Sequence, residues 1–193
     1  MKNNLIFIGM PAVGKSTVGV VVAKRLGMRF VDTDLLIQSQ EKRLLKDIIA
    51  DVGEEGFLKI ENQVNRNIKA VNTVISPGGS IVYCEEAMLH FKEIGTVVYL
   101  KASYQTIRRR IRSLTRRGVV LREGQTFREL YDERTPLFEK YADITVCEDG
   151  FRIEQTIENV LREVGKYRRR QKAKKGAWKH NPKQNRKKDF TNL

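Results

Sequence analysis

The chain has 193 residues, 40% hydrophobic and 31% charged, with a formal net charge of +14. That is enough apolar material for one compact domain and too much for a disordered chain, and no apolar run approaches the ~20 residues of a membrane helix. The charge is uneven: Gly165–Leu193 holds 12 bases and one acid, a net of +11, leaving 25 bases and 22 acids, or +3, in the first 164 residues.

The elements read in chain order as alternating strands and helices. Leu5–Ile8 is a short buried-strand run, too brief and too soon broken by Gly and Pro for a secretory signal. Ser16–Leu26 carries Val18, Val21, Val22 and Leu26 at helical spacing. Arg29–Val31 is a second strand ending at Asp32. Leu35–Asp51 and Glu54–Val71 read as helices, the latter with Phe57, Ile60, Val64 and Ile68 on one face. Then come strand Thr73–Ile75, helix Glu85–Lys92 and strand Thr96–Leu100. Ile107, Ile111 and Leu114 mark a further helix, and Thr115–Gln125, with its Gly and Arg residues, reads as a mobile loop. Phe127–Tyr141 is helical, Ile144–Val146 is the last strand, and Ile153–Val164 the last amphipathic helix.

Strands separated by helices predict an α/β fold, a three-layer sandwich with a central parallel sheet covered on both faces. Two units are expected: a domain over 1–164 and a basic, disordered tail over 165–193, whose few apolar residues cannot offset its ordering entropy. Cys84 and Cys147 have no metal-ligand spacing and suit a reducing compartment. With two distant His, no zinc site is expected. These features predict a cytoplasmic protein with no membrane association.

The strongest motif is Gly9-Met10-Pro11-Ala12-Val13-Gly14-Lys15-Ser16, a full G-x-x-x-x-G-K-[ST] between a strand and a helix. Gly9 and Gly14 let the backbone curl so that successive N–H groups face phosphate oxygens, and the helix adds its positive end. Lys15 supplies a charge to the β- and γ-phosphates and Ser16 a hydroxyl to Mg²⁺. A nucleotide-phosphate site follows. Asp32-Thr33-Asp34 closes the second strand, where open α/β sheets bind ligands; a helix N-cap at Asp34 is the competing reading. Base-recognition sequences of the Asn-Lys-x-Asp type are absent.

From here the chain resembles the shikimate kinases, within the nucleoside monophosphate kinase-like group of P-loop enzymes, over roughly its first 160 residues. The resemblance is carried by the P-loop with Thr17-Val18-Gly19, Asp32-Thr33-Asp34, and Gly53-Glu54-x-x-Phe57-x-x-x-Glu61. It continues in Pro77-Gly78-Gly79, a lid at Arg116-Arg117-Gly118, and Glu133-Arg134-Thr135-Pro136-Leu137-Phe138.

The resemblance implies ATP- and Mg²⁺-dependent phosphorylation of a hydroxyl on a small metabolite, shikimate first, by a monomer. The nucleotide would be held by Gly9, Ala12, Val13, Gly14, Lys15, Ser16 and Thr17, with Arg110 or Arg109 against the adenine. Mg²⁺ would sit at Ser16 and Asp32. Asp34 would orient the acceptor hydroxyls, Gly78 and Gly79 would line its pocket, Arg134 would pair with its carboxylate, and Arg117 or Arg116 would close over the transferred group. Loose phosphoryl-transfer transition states need such alignment and neutralisation. A solvated charged loop is the competing reading of the lid.

The departures fall on the acceptor side. Leu58 stands where the family has an Arg that pairs with the substrate carboxylate, Ser80 where it has a third Gly, and the lid reads Arg-Gly-Val for Arg-Pro-Leu. A kinase for another small hydroxy acid, such as homoserine, therefore remains an alternative. So does an ATP-binding protein that contacts nucleic acid through the 165–193 tail, with Trp178 for stacking.

Overall fold

The computed structural model describes residues 3–111, 122 and 124–179. Five strands form a wholly parallel sheet in the order β2-β3-β1-β4-β5. They are β1 (Asn4–Ile8), β2 (Arg29–Asp32), β3 (Thr73–Ser76), β4 (Gly95–Lys101) and β5 (Ile144–Cys147). Central strands β1 and β3 are buried at every residue, whereas edge strand β5 alternates buried and exposed. That contrast is the signature of a sheet covered on both faces except at its margin.

Among the described residues seven helices accompany the sheet: α1 (Lys15–Leu26), α2 (Thr33–Glu41), α3 (Leu45–Arg66), α4 (Glu85–Ile94), α5 (Tyr104–Arg110), α6 (Phe127–Tyr141) and α7 (Ile153–Lys179). α1 packs on β2 and β3 beside α7, while α4 and α6 pack on β4. A single 3₁₀ turn, Ile81–Tyr83, joins β3 to α4. The expected α/β architecture is therefore present. In the order 2-3-1-4-5 the chain leaves β1 in one direction and β3 in the other, so their carboxyl ends flank a switch point where a ligand crevice opens.

The element boundaries show where pattern reading fell short. The expected helix over Leu35–Asp51 is two pieces, because Lys42 adopts a left-handed conformation (φ 54°) and ends α2. A lysine carries no turn signal, so this break was invisible. α3 runs on through a kink at Gly53 (φ 69°) and stops at Arg66, five residues short of the expected end. α5 ends at Arg110, and Leu114 lies outside the described residues. α7 continues through Gly165 to Lys179, so the expected disorder does not begin at Gly165; 180–193 lie outside the described residues.

One buried polar side chain fastens the sheet's entrance. Asn4, 2% exposed, donates to the carbonyls of Ala70 (2.7 Å) and Ile94 (3.0 Å) and accepts from the Thr73 N–H (3.0 Å). It thus ties the start of β1 to the segments that lead into β3 and β4. Asn4→Ala would leave three buried backbone groups unpaired, at ~1–3 kcal/mol each before relaxation. A loss of about 2–4 kcal/mol in urea unfolding is expected, with Asn4→Asp, which keeps only the acceptor, also destabilised.

Candidate active site

The crevice is built from the loops after β1, β2 and β3. After β1 the backbone turns at Gly9 (φ 148°), where a Cβ would meet the Leu100 carbonyl oxygen at 2.6 Å, so only glycine fits. Ala12 also takes a positive φ (64°), an uncommon conformation for a residue with a side chain and the kind of strain found at ligand-gripping loops. Gly14 (φ 105°) precedes the first turn of α1. Ala12, Gly14, Lys15, Ser16 and Thr17 face the crevice. Val13 is buried and, with Thr17 and Arg110, borders an adjoining hollow.

Lys15 folds back across its own loop, its ammonium donating to the Gly9 (3.0 Å) and Met10 (3.3 Å) carbonyls. Burial lowers its pKa to about 8, a fall limited by the carboxylates of Asp34 and Asp32. It is an ammonium held out of water, ready for a polyanion.

The two aspartates after β2 have separate duties. Asp32, not Asp34, is the N-cap of α2: its Oδ1 accepts from the Asp34 N–H at 3.0 Å. Its Oδ2 accepts from the Ser16 hydroxyl at 2.6 Å, and Ser76 Oγ lies 3.3 Å from Ser16 Oγ. Hard oxygen donors at this spacing fit Mg²⁺, which keeps most of its waters and takes few protein ligands. Capping by Asp32 leaves the Asp34 carboxyl to the crevice, where desolvation raises its pKa to about 6 against the pull of Lys15.

The facing wall comes from α3, α6 and the loop after β3. Gly78, Gly79, Ser80 and Arg134 all line the crevice. Arg134 on α6 is 1% exposed, its Nε donating to Tyr83 Oη at 3.3 Å and its guanidinium 5.1 Å from the Tyr83 ring centre. At Gly78 a Cβ would lie 2.5 Å from Glu61 Oε1 and 2.9 Å from Asp34 Oδ1, so two carboxyl groups converge over that bare Cα.

Glu61 is the functional candidate that sequence reading left without a role. It is fully buried, and neither carboxyl oxygen completes a hydrogen bond of ordinary geometry among the described residues. Burial raises its pKa to about 7, with the nearby Ser80 hydroxyl and the Arg134 charge pulling it back. Its signal was present, since Phe57 and Glu61 stand four apart and share a helix face. Leu58 is a correction: although expected at the acceptor, it is absent from the crevice lining and packs against the main core. Leu45 and Phe57 are the apolar residues that reach the crevice from α3.

On the other side, Arg110 donates to the Val13 carbonyl (3.1 Å) and pairs with buried Glu148 (2.7 Å). Arg109, its exposed neighbour, has no place in that hollow's lining. Arg116 and Arg117 lie outside the described residues. Arg122, beyond them, pairs with Glu133 at 3.0 Å, beside Arg134.

Comparison with known proteins agrees with this fold. The family model for shikimate kinase matches residues 11–165. The chain belongs to the shikimate kinase family. Its relatives include the shikimate kinase of Chlorobium chlorochromatii, 35% identical over 178 residues, 86% of this chain and 93% of that protein. That of Persephonella marina is 32% identical over 159 residues, 82% and 96% of the two chains. The solved shikimate kinase of Aquifex aeolicus superposes with a TM-score of 0.74 at 29% identity, covering 84% of this chain and 96% of its own. The Acinetobacter baumannii enzyme in complex with shikimate gives 0.76 at 25% identity, covering 84% and 92%. The family is one of ATP-dependent kinases. No helix among the described residues is long and apolar enough to cross a membrane.

The carboxyl environment of this family member predicts a pH effect. A folded Glu61 with a pKa near 7 holds its proton more tightly than the unfolded chain does. The cost of burying its charge is therefore absent at acid pH, and stability falls as pH rises from the unfolded value through the folded one. Glu61→Gln removes that cost. Urea unfolding should show the variant gaining on the parent by up to about 3 kcal/mol between acid and mildly alkaline pH. A constant difference would mean that the Glu61 carboxyl titrates alike in the folded and unfolded chains.

Proposed function

We propose that this chain transfers the γ-phosphoryl group of ATP to a hydroxyl of shikimate. The observation that carries this reading is the meeting, in one crevice, of a phosphate-gripping loop with Lys15, the uncapped carboxyl of Asp34 and the buried guanidinium of Arg134.

ATP would lie along the loop from Gly9 to Thr17, its β- and γ-phosphates against Lys15 and the α1 N-terminus, with Arg110 at the edge of the base site. Ser16 and Asp32 would hold Mg²⁺, which draws charge from the phosphates when bound. Arg134 would take the shikimate carboxylate, while Asp34 and the Gly78–Ser80 backbone orient the hydroxyls. In the transfer the acceptor oxygen bonds to the γ-phosphorus as the bond to the ADP oxygen breaks, and the hydroxyl proton passes to Asp34. A carboxyl with pKa near 6 is ionised at neutral pH yet basic enough to receive it. Arg117, outside the described residues, would close over the transferred group and exclude water.

With Leu58 turned to the core, the acceptor carboxylate has one guanidinium from this wall, Arg134. Much of the acceptor affinity then rests on it, and removing one partner of a buried charge pair typically costs ~2–5 kcal/mol. Arg134→Ala should raise KM for shikimate at least ~30-fold while leaving KM for ATP within about twofold. Lys15→Ala should abolish turnover. The assay is ATP consumption against shikimate, homoserine and gluconate. Shikimate inert beside an active second acceptor would move the substrate and keep the chemistry, whereas no Lys15-dependent turnover with any acceptor would end the kinase reading.

A further inference from the structure

α7 has two halves of opposite chemistry. From Ile153 to Glu163 it carries Glu154, Glu158 and Glu163 against Arg162 alone, and Ile157, Val160 and Val164 are buried in the core. From Lys166 to Lys179 the same helix carries eight bases and no acid. Lys166 pairs with Glu163 at 2.8 Å, and Glu163 is the last acid on the helix. Tyr167 still packs on the core.

Beyond it, Arg168, Arg169, Arg170, Lys172 and Lys174 are all exposed. None of the five makes an ion pair among the described residues. Arg168 and Lys172, like Arg170 and Lys174, stand four apart, so like charges stack on shared faces and weaken the helix. A merely solvating face mixes signs. This one concentrates a single sign on an ordered scaffold, an arrangement that a polyanion would relieve. It also lies past residue 165, where the family match ends, and none of these residues borders the crevice.

The spacing suits one class of polyanion. At 1.5 Å per residue, Arg168 to Lys174 spans about 9 Å, over which duplex nucleic acid presents about five phosphate charges. A membrane-surface helix would need a broad apolar face opposite its bases. With Tyr167 committed to the core, only Ala173, Ala177 and Trp178 remain as apolar residues from Lys166 to Lys179.

We propose that the outer half of α7 is a docking surface for the phosphodiester backbone of double-stranded nucleic acid, separate from the phosphoryl-transfer crevice. Recognition is electrostatic and independent of sequence, since long flexible cations contacting phosphates carry no base information.

The test is fluorescence anisotropy of the full chain with labelled DNA and RNA duplexes of about 20 base pairs, across about 50–200 mM salt. The comparison is the variant R168Q/R169Q/R170Q/K172Q/K174Q, whose folding is verified by unchanged stabilisation with ATP. The parent should bind, and the variant should bind at least roughly tenfold more weakly at mid-range salt. The slope of log affinity against log salt should shrink by up to about 4.5 in the variant. Binding of both duplexes supports backbone docking, and binding of RNA alone or DNA alone assigns the source. The proposal is overturned if the variant binds as tightly as the parent or if neither duplex binds at the lowest salt. It is equally overturned if mixed phosphatidylserine–phosphatidylcholine vesicles sediment the protein while the duplexes fail.

Discussion

The constraint on which this molecule depends is the desolvation of charge at the carboxyl edge of the sheet. Lys15, Asp34, Glu61 and Arg134 are largely withdrawn from water within one small volume. Isolated, each would be expensive to bury. Together they offset one another's desolvation, and the pKa shifts of Lys15, Asp34 and Glu61 record how incomplete that compensation is. An ammonium pushed down to about 8 and carboxyls pushed up to about 6 and about 7 are groups that a phosphate chain and a hydroxylated anion would stabilise.

The fold serves that cluster. Strand order brings three loop ends to the switch point. Asp32 does two structural jobs, capping α2 and accepting from Ser16, and thereby releases Asp34. Gly78 keeps its Cα bare so that two carboxyl groups can converge above it. The nucleotide side follows the family pattern. The chain departs from that pattern at Leu58, a neutral residue that leaves Glu61 without a basic neighbour on the preceding turn of its own helix.

What the sequence made legible were features encoded locally. A glycine-rich loop between a strand and a helix has one common chemical use, and the position of Asp32 and Asp34 at a strand end pointed to the crevice, which Asp34 lines while Asp32 reaches Ser16 at its edge. Less visible were features decided by tertiary packing. Which aspartate caps α2 depends on which carboxyl Ser16 can reach. Glu61 was quoted within a motif, but its burial depends on how α3 lies against Gly78. Leu58 was assigned to the acceptor by alignment of motifs, whereas its side chain is drawn to the core. The helix beyond Val164 escaped notice because its composition argues for disorder, while its continuity with a packed helix and the Tyr167 contact favour order.

The net charge of +14 accordingly describes two regions. In the body, a few cations are set against carboxylates around the crevice; in the outer part of α7, cations stand without acids. The central claim concerns the first region, and ³¹P NMR of the protein with ATP, Mg²⁺ and shikimate tests it most directly. The account predicts a new phosphomonoester resonance growing in step with ADP, and absent with Lys15→Ala. Appearance of inorganic phosphate with ADP, or an unchanged ATP spectrum, would contradict it.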